Sequence, residues 1–286
     1  MSLRRLETGP ELVEVESLAS DWSESAHQPA LSEETRLHLR TRRGTVFVSD
    51  SPDGMATLIP TKRPGVGMVE VAVPGQVPAS EFWDRAEPDV KAEAAKLGHR
   101  ALELLTWDVG LRGELADRGW ERVRAVNRGT RATGPGPLSR AGPVIEAFQR
   151  ARDADGLLEV NNLAFASHPE AGNWDRAGLE ALFEEPSFDP AGLLMTWDGA
   201  VVTGFCWTKV HPDGVGEVYL LAVRPERSGQ GLGRALVNAG IEYLTAKRGC
   251  EQTIIYWDVS NKIASNLYQS IGFSVDQVGE VFRHRL

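Results

Sequence analysis

The fold is decided by the stretch Val218-Tyr-Leu-Leu-Ala-Val-Arg-Pro-Glu-Arg-Ser-Gly-Gln-Gly-Leu-Gly-Arg-Ala-Leu236. Its pattern predicts a hydrophobic strand, then a basic glycine-rich turn, then the start of an amphipathic helix. Gly229, Gly231 and Gly233 occupy alternate positions, so the backbone can approach a ligand closely. The N–H groups of such a turn and of a helix N-terminus favour an anionic phosphate group. Three arginines are expected to add charge at the same place: Arg224, Arg227 and Arg234.

Three phosphate ligands are compatible with a glycine-rich turn before a helix. A nucleotide P-loop requires a lysine and a hydroxyl residue after its last glycine, and neither follows Gly233. A dinucleotide site requires a different glycine spacing within a parallel repeat, whereas the strands flanking this turn look antiparallel. The pyrophosphate of coenzyme A remains.

Composition limits the remaining possibilities. The chain has 286 residues, enough for two domains, and only two cysteines, which favours a reducing cytoplasm over a disulfide framework. We expect no signal peptide and no membrane-spanning segment, because no long apolar run occurs. The net charge of −9 argues against a nucleic-acid partner and is compatible with a cationic amine substrate. A monomer without a metal site is expected.

The two halves of the chain resemble each other. Trp107-Asp-Val109 and Trp257-Asp-Val259 each end a strand and precede a helix and another strand. The glycine- and proline-rich segment 133–143 has the composition of a linker. We predict domains at residues 1–137 and 138–286. Each should be an α+β unit, a mixed α/β sandwich with a central, mostly antiparallel sheet flanked by helices.

The first half lacks the anion-binding turn. After Pro74 it has one glycine where the second half has three, and Pro78 stands where the helix should begin. No arginine cluster accompanies this turn. We therefore expect the chemistry in residues 138–286.

The glycine turn resembles the signature Arg/Gln-x-x-Gly-x-Gly/Ala of the GNAT acetyltransferases. In strict register the leading Arg/Gln of that family falls on Ser228, which is a departure. A second motif, Asn261 to Asn266 followed by Leu267-Tyr-Gln-Ser-Ile-Gly-Phe273, is similar to the family's Asn…Ala…Tyr…Gly-Phe helix. The resemblance implies two tandem GNAT-like domains, the first degenerate, and acetyl-CoA as co-substrate. It implies coenzyme A contacts at Leu221, Ala222, Val223, Ser228, Gly229, Gln230, Gly231, Leu232, Gly233, Arg234, Asn261, Lys262, Ile263, Ala264, Ser265 and Asn266.

A narrower resemblance covers most of residues 144–286. The segments 160–174, 204–211 and 216–219 are similar to the mycothiol synthases, tandem GNAT enzymes that acetylate the cysteinyl amine of cysteinyl-glucosaminyl-inositol. Residues 1–137 match that family poorly. The resemblance implies an acceptor site that includes Glu170, Lys209, Tyr256 and Glu33. Each of the first two can instead be a surface residue, and Glu33 rests on a loose alignment.

Two residues are candidates for the proton transfers of acetylation. Glu217 precedes the strand that leads into the glycine turn and matches the family's general base; it can otherwise be a solvated glutamate at a strand start. Tyr268 matches the family's general acid, which protonates the departing thiolate; the alternative is a tyrosine packed in the core. Asn261 can serve as a helix N-cap as well as a coenzyme A contact.

The two histidines and the cysteine below are expected to have mainly structural roles. His168 and His211 lack metal-ligand spacing and are expected to be structural or to face the substrate. Cys206 is expected to pack in the core, which leaves a covalent acetyl-cysteine route as a minor option. Two other functions remain open: a GNAT enzyme for another small amine (an antibiotic, a polyamine or an amino acid), and a non-catalytic acyl-CoA sensor.

Overall fold

The computed structural model describes residues 3–6, 15, 17–19, 22, 31–40, 43–50, 53–132, 142–166, 174–185 and 187–286. The strands in these ranges are β1 (Arg4–Leu6), β2 (Thr45–Asp50), β3 (Asp53–Pro60), β4 (Val66–Ala72), β5 (Ala101–Thr106), β6 (Glu121–Ala132), β7 (Ile145–Ala147), β8 (Leu193–Asp198), β9 (Val201–Val210), β10 (Gly216–Val223), β11 (Gln252–Asp258) and β12 (Ser274–Arg285). The α-helices are α1 (Glu33–Arg40), α2 (Ala79–Lys96), α3 (Val109–Asp117), α4 (Arg150–Ala164), α5 (Arg176–Phe183), α6 (Leu232–Ala246) and α7 (Lys262–Ile271). None of the described helices is long and apolar enough to span a membrane.

The chain forms two compact units. The first contains residues 1–126 together with 278–286, and the second contains residues 127–277. The predicted boundary between residues 137 and 138 lies outside the described residues.

The first unit has the strand order β1-β2-β3-β4-β5-β12, with the C-terminal part of β12 pairing antiparallel to β5. Strands β4 and β5 are parallel, and α2 connects them. Their pairing runs from Val66↔Ala101 to Glu70↔Leu105, close to the end of both strands. Helix α2 buries Phe82 and Trp83 in the core of this unit.

The second unit has the strand order β6-β11-β10-β9-β8-β7. Strands β7 to β10 pair antiparallel in sequence order, and Gly199 has a positive φ of 59° in the tight turn between β8 and β9. The expectation that the strands beside the glycine turn are antiparallel is wrong for β11, which is parallel to β10. The two strands are connected by α6, which returns the chain to the end of the sheet where β10 began. A helical crossover of this kind joins parallel strands.

The fold class is confirmed: both units are mixed α/β structures with mainly antiparallel sheets and packed helices. In the second unit α6 lies on one side of the sheet, where Val237 and Ile241 share a core cluster with Val218 of β10. Helix α4 packs against β9 and β10 as well. The strand, glycine turn and helix predicted for residues 218–236 are therefore all present.

Candidate active site

Strands β10 and β11 separate after a short paired stretch. Their parallel pairing covers Gly216↔Thr253 to Val218↔Ile255, although β10 continues to Val223 and β11 to Asp258. Strand β9 stays paired with β10 up to Val223↔Gly204. The far half of β10 therefore has no strand partner on its β11 side in the described part of the chain. Such an edge can pair with an extended ligand.

Three of the predicted coenzyme A contacts lie on this unpaired edge: Leu221, Ala222 and Val223. The separation begins at an irregularity, because the register with β9 shifts between Val218 and Leu220 and leaves Tyr219 as an extra residue. Bulges of this kind bend a strand and are frequent beside active sites. The ring of Tyr219 lies under the Lys209 ammonium, 3.6 Å from Nζ to the ring centroid.

The glycine turn leads from this edge to the N-terminus of α6. Gly229 and Gly231 have φ of 77° and 82°, values that favour glycine strongly. Gly231 is also the N-cap of α6 and provides no side-chain cap. A Cβ at either glycine would meet no atom within 4 Å, so the turn is open there. Left-handed residues beside a helix N-terminus gather N–H groups around a concavity that suits an anion, which fits a pyrophosphate.

The three arginines do not all contribute charge to this turn. Arg224 is buried, donates from Nε to the carbonyl oxygen of Val202 (2.6 Å) and forms an ion pair with Glu159 (2.7 Å). Arg227 forms an ion pair with Asp198. The expectation that these two arginines add charge at the turn is therefore wrong, since carboxylates balance both charges. Arg234, at the start of α6, donates to the Ser270 hydroxyl (2.7 Å) and has no carboxylate partner among the described residues.

Glu217 lies on β10 at the point where the two strands are still paired. It is 7% exposed, and Lys209 of β9 lies opposite it in register. Its Oε2 is 2.8 Å from Nε2 of His211. Burial lowers the pKa of His211, but the hydrogen bond and the charge of Glu217 outweigh that effect, so the pKa lies above its usual value.

Tyr268 lies in α7 and is 6% exposed. Its ring packs edge-on against Trp257, with centroids 5.3 Å apart, in the core cluster that also includes Val218. Burial raises the pKa of the Tyr268 hydroxyl, which keeps it protonated at neutral pH. Because successive strand residues face opposite sides, Glu217 and its neighbour Val218 point to different faces of the sheet. Tyr268, which shares a core cluster with Val218, therefore lies on the face of the sheet opposite to the Glu217 side chain.

The second motif forms the start of α7. Asn261 is its N-cap, and its side-chain oxygen accepts a hydrogen bond from the backbone N–H of Ala264 (3.0 Å). The Ser265 hydroxyl accepts one from the indole N–H of Trp257 (3.0 Å). The capping reading of Asn261 is therefore correct. Exposed side chains follow the cap at Lys262, Ile263 and Asn266.

The predicted acceptor residues are only partly brought together. Tyr256 lies two residues after Ile254, the register partner of Glu217 on β11, so it faces the same side of the sheet as Glu217. Burial and then the charge of Glu217 raise the pKa of its hydroxyl. Lys209 also lines a cavity of about 300 Å³ with Asp189, Tyr243 and Arg248. Glu170 and His168 lie outside the described residues. Glu33 is the first residue of α1 in the first unit, and its side chain is not described.

Two neighbours of Glu217 were missed as site residues by sequence reasoning. From the sequence His211 is expected to be structural or to face the substrate, without a link to Glu217, and Tyr219 is not singled out. The Pro212-Asp-Gly214 turn signal was available, and pairing residues outward from it would have brought His211 close to Glu217. No sequence signal marks the bulge at Tyr219. Among the described residues, no group of three or more His, Cys, Asp or Glu side chains is arranged to hold a metal ion.

Cys206 is completely buried, and burial raises the pKa of its thiol to about 12. It is therefore a protonated thiol at neutral pH, not a nucleophile. We expect Cys206→Ala to keep kcat within roughly twofold of wild type while the free energy of unfolding falls by about 1–2 kcal/mol. Steady-state kinetics and thermal unfolding measure the two effects. Loss of transfer with acetyl-CoA binding intact would instead support an acetyl-cysteine route.

Comparison with known proteins gives a consistent result. The model of the acetyltransferase (GNAT) family matches residues 157–273. A mycothiol acetyltransferase of Thermomonospora curvata is 36% identical over 282 residues, which cover 93% of this chain and 91% of the relative. A mycothiol acetyltransferase of Salinispora tropica is 32% identical over 297 residues, which cover 93% and 90%.

Two solved structures share the fold over 99% of this chain. One is a tandem GNAT protein from the clavulanic acid biosynthesis pathway, with a TM-score of 0.72 and 14% identity over 98% of that chain. The other is a GCN5-related N-acetyltransferase from Sphaerobacter thermophilus, with a TM-score of 0.69 and 16% identity over 95% of that chain. At such identities the likeness concerns the fold alone.

Proposed function

The chain belongs to the acetyltransferase (GNAT) family, in the group of the mycothiol acetyltransferases, and from this premise we propose that it acetylates the cysteinyl amine of cysteinyl-glucosaminyl-inositol. That it is an acetyl-CoA-dependent N-acetyltransferase follows from its family. The acceptor and the roles of individual residues are the proposal. The acceptor rests on the names of the relatives and on the resemblance of residues 144–286.

One structural observation carries the assignment of the site. The unpaired edge of β10 leads directly into a turn with two left-handed glycines at the N-terminus of α6. The edge suits an extended amide-containing arm, and the turn suits a pyrophosphate. Bound acetyl-CoA supplies the thioester whose acetyl group is transferred.

The residues around the gap would manage the protons. Glu217 accepts a proton from the amine as its nitrogen forms a bond to the acetyl carbon. Tyr268 donates its hydroxyl proton to the sulfur as the carbon–sulfur bond breaks. The Tyr268 hydroxyl is protonated at neutral pH, so it carries a proton to give, and its assignment as the acid rests on the resemblance to the family's general-acid position.

The structure of the first unit favours one acetyl-CoA site per chain, located in the second unit. Its parallel strands stay paired up to Glu70↔Leu105, whereas the pairing in the second unit stops early. The turn before α2 contains Gly75, which does not adopt a positive φ, and Pro78 is the N-cap. The features that suit coenzyme A in the second unit therefore have no counterpart in the described stretch from β4 to β5.

The glycine turn provides a test of acetyl-CoA binding. An alanine in the left-handed region costs roughly 1–2 kcal/mol, so Gly231→Ala should relax the turn and displace its N–H groups. We expect the KM for acetyl-CoA to rise about tenfold. The matched control is Gly249→Ala, because Gly249 has a similar φ of 70° in the turn after α6. Equal KM values for the two variants would contradict the assignment.

The acceptor is tested by comparing kcat/KM for a panel of amines with acetyl-CoA in excess. The panel contains cysteinyl-glucosaminyl-inositol, free cysteine, a polyamine and an aminoglycoside. We expect the first compound to exceed the others by at least about a hundredfold, because several hydrogen-bonded hydroxyls discriminate strongly. A higher value for another amine would replace the proposed acceptor. Tight acetyl-CoA binding with no turnover would indicate an acyl-CoA sensor.

A further inference from the structure

His211 is the nearest described partner of the Glu217 carboxylate, yet the proposed proton transfers do not use it. A tight hairpin holds the two residues together. The backbone N–H of His211 donates to the carbonyl oxygen of Val215 (2.9 Å), and β10 begins at the next residue. The imidazole Nε2 lies 2.8 Å from Oε2 of Glu217. The side chains are 22% and 10% exposed, so water screens this contact only weakly.

We propose that His211 is a positioning residue for the base: neutral His211 donates Nε2–H to Oε2 of Glu217, and protonated His211 forms an ion pair that suppresses Glu217 as a proton acceptor. This inference rests on the proposed role of Glu217. With Oε2 engaged by His211, Oε1 is the oxygen left to take the amine proton. The histidine thus selects the reactive oxygen and makes the base depend on pH.

The charged surroundings of His211 define the direction of that dependence. Burial lowers the pKa of His211, the hydrogen bond and charge of Glu217 and the charge of Asp213 raise it, and Lys209 lowers it; the net shift is upward. On the β11 side Tyr256 interacts with Glu217, and Tyr256 in turn interacts with Arg128 and Asp276. His211 therefore titrates above the usual value of about 6.5.

The proton balance gives the sign of the effect on rate. During transfer one proton moves from the amine to Oε1 of Glu217, and another moves from the Tyr268 hydroxyl to the leaving sulfur. A second proton on His211 places a full positive charge beside the carboxylate and reduces its ability to accept the first. The rate therefore falls as the pH drops through the pKa of His211, and it rises again as His211 loses its proton.

The first experiment measures the titration of His211 directly by NMR in the full chain without substrate. The signal of His211 is the one that disappears in His211→Gln. We expect its pKa above about 6.5 in the wild type, and below that value in Glu217→Gln because burial then acts without the carboxylate charge. A signal that titrates at or below the usual value in the wild type would overturn the inference. So would a pKa that Glu217→Gln leaves unchanged.

The second experiment compares kcat across pH for two variants. His211→Gln keeps an N–H donor at the Nε2 position but cannot be protonated, and His211→Phe has no donor. We expect His211→Gln to retain kcat at pH 8 within about threefold, and His211→Phe to lose roughly tenfold to a hundredfold, since a hydrogen bond to a charged group is lost. The acidic limb due to His211 should be missing from both variants. Ionisation of the amine itself affects all three proteins equally, so the difference between the profiles reports on His211.

Different results would overturn the proposed acetyl transfer and the proposed role of His211. Absence of turnover with every amine overturns the proposed function and, with it, the role of Glu217 as a base. Turnover with the same pH profile in His211→Gln and the wild type overturns the role of His211 alone. Equal kcat values for the Gln and Phe variants, with both folded by circular dichroism, also overturn it, because a positioning role requires the donor.

Discussion

Replacing Glu217 by glutamine is expected to lower kcat for acetyl transfer by about 10²- to 10⁴-fold, the contribution of a positioned general base. Glutamine has nearly the same shape but cannot accept the amine proton. The residue is 7% exposed and lies at the paired end of β10, where the gap towards β11 begins. The measurement is steady-state acetyl transfer with both substrates saturating.

The control for this variant is Glu251→Gln, which removes the same charge from an exposed position just before β11 in the same unit. We expect it to behave as the wild type. Binding of acetyl-CoA should be unchanged in both variants, because the Glu217 carboxylate acts on the amine. A kcat for Glu217→Gln within about threefold of the wild type would show that a group other than Glu217 accepts the proton.

The second large effect is expected for Tyr268→Phe, which should lower kcat by about 10²-fold through loss of the general acid. The ring contacts with Trp257 and Phe273 remain possible for phenylalanine, so packing is preserved. Tyr243→Phe is the matched control in the same unit. Its hydroxyl donates to Asp189 in the cavity that Lys209 also lines, so its removal should affect stability or the KM for the acceptor and not proton donation to the sulfur.

The role of Tyr268 as an acid has a specific signature. A thioester whose thiol is more acidic needs no proton when it leaves, so such an acetyl donor should restore much of the rate of Tyr268→Phe. The same donor should have little effect on Glu217→Gln, because that variant is impaired in taking the amine proton. An equal loss with both donors would assign the tyrosine to packing alone.

Local sequence patterns predicted the elements of the site well. The strand β10, the glycine turn and α6 are adjacent in the chain, and their hydrophobic pattern and glycine positions are properties of neighbouring residues. Glycine spacing leaves the pyrophosphate of coenzyme A among three phosphate ligands, and the family resemblance then adds the acetyl group.

Contacts between distant residues could not be predicted in this way. The sequence of β12 contains nothing that indicates pairing of its C-terminal part with β5 in the first unit. The parallel arrangement of β10 and β11 depends on the path of α6, and their pairing ends next to the bulge at Tyr219. The partners of Arg224 are Val202 and Glu159, which are remote in sequence. The sequence therefore does not show that this arginine is engaged within the protein.

The charges around the proposed base illustrate the same limit. His211, Lys209 and Glu217 lie close together in the sequence, but their spacing alone does not specify which side chains meet. The hairpin register pairs Lys209 with Glu217, and the turn brings His211 onto the same carboxylate. The family motif predicts Glu217 as the base, whereas its hydrogen-bond partner His211 is visible only in the three-dimensional arrangement.

The central claim is tested most directly by identifying the product. The purified chain is incubated with acetyl-CoA and cysteinyl-glucosaminyl-inositol, and tandem mass spectrometry locates the acetyl group. The account predicts one acetyl group on the cysteinyl nitrogen, formed by the wild type and strongly reduced in Glu217→Gln. Failure to acetylate that nitrogen, while acetyl-CoA binds and another amine is acetylated, would contradict it.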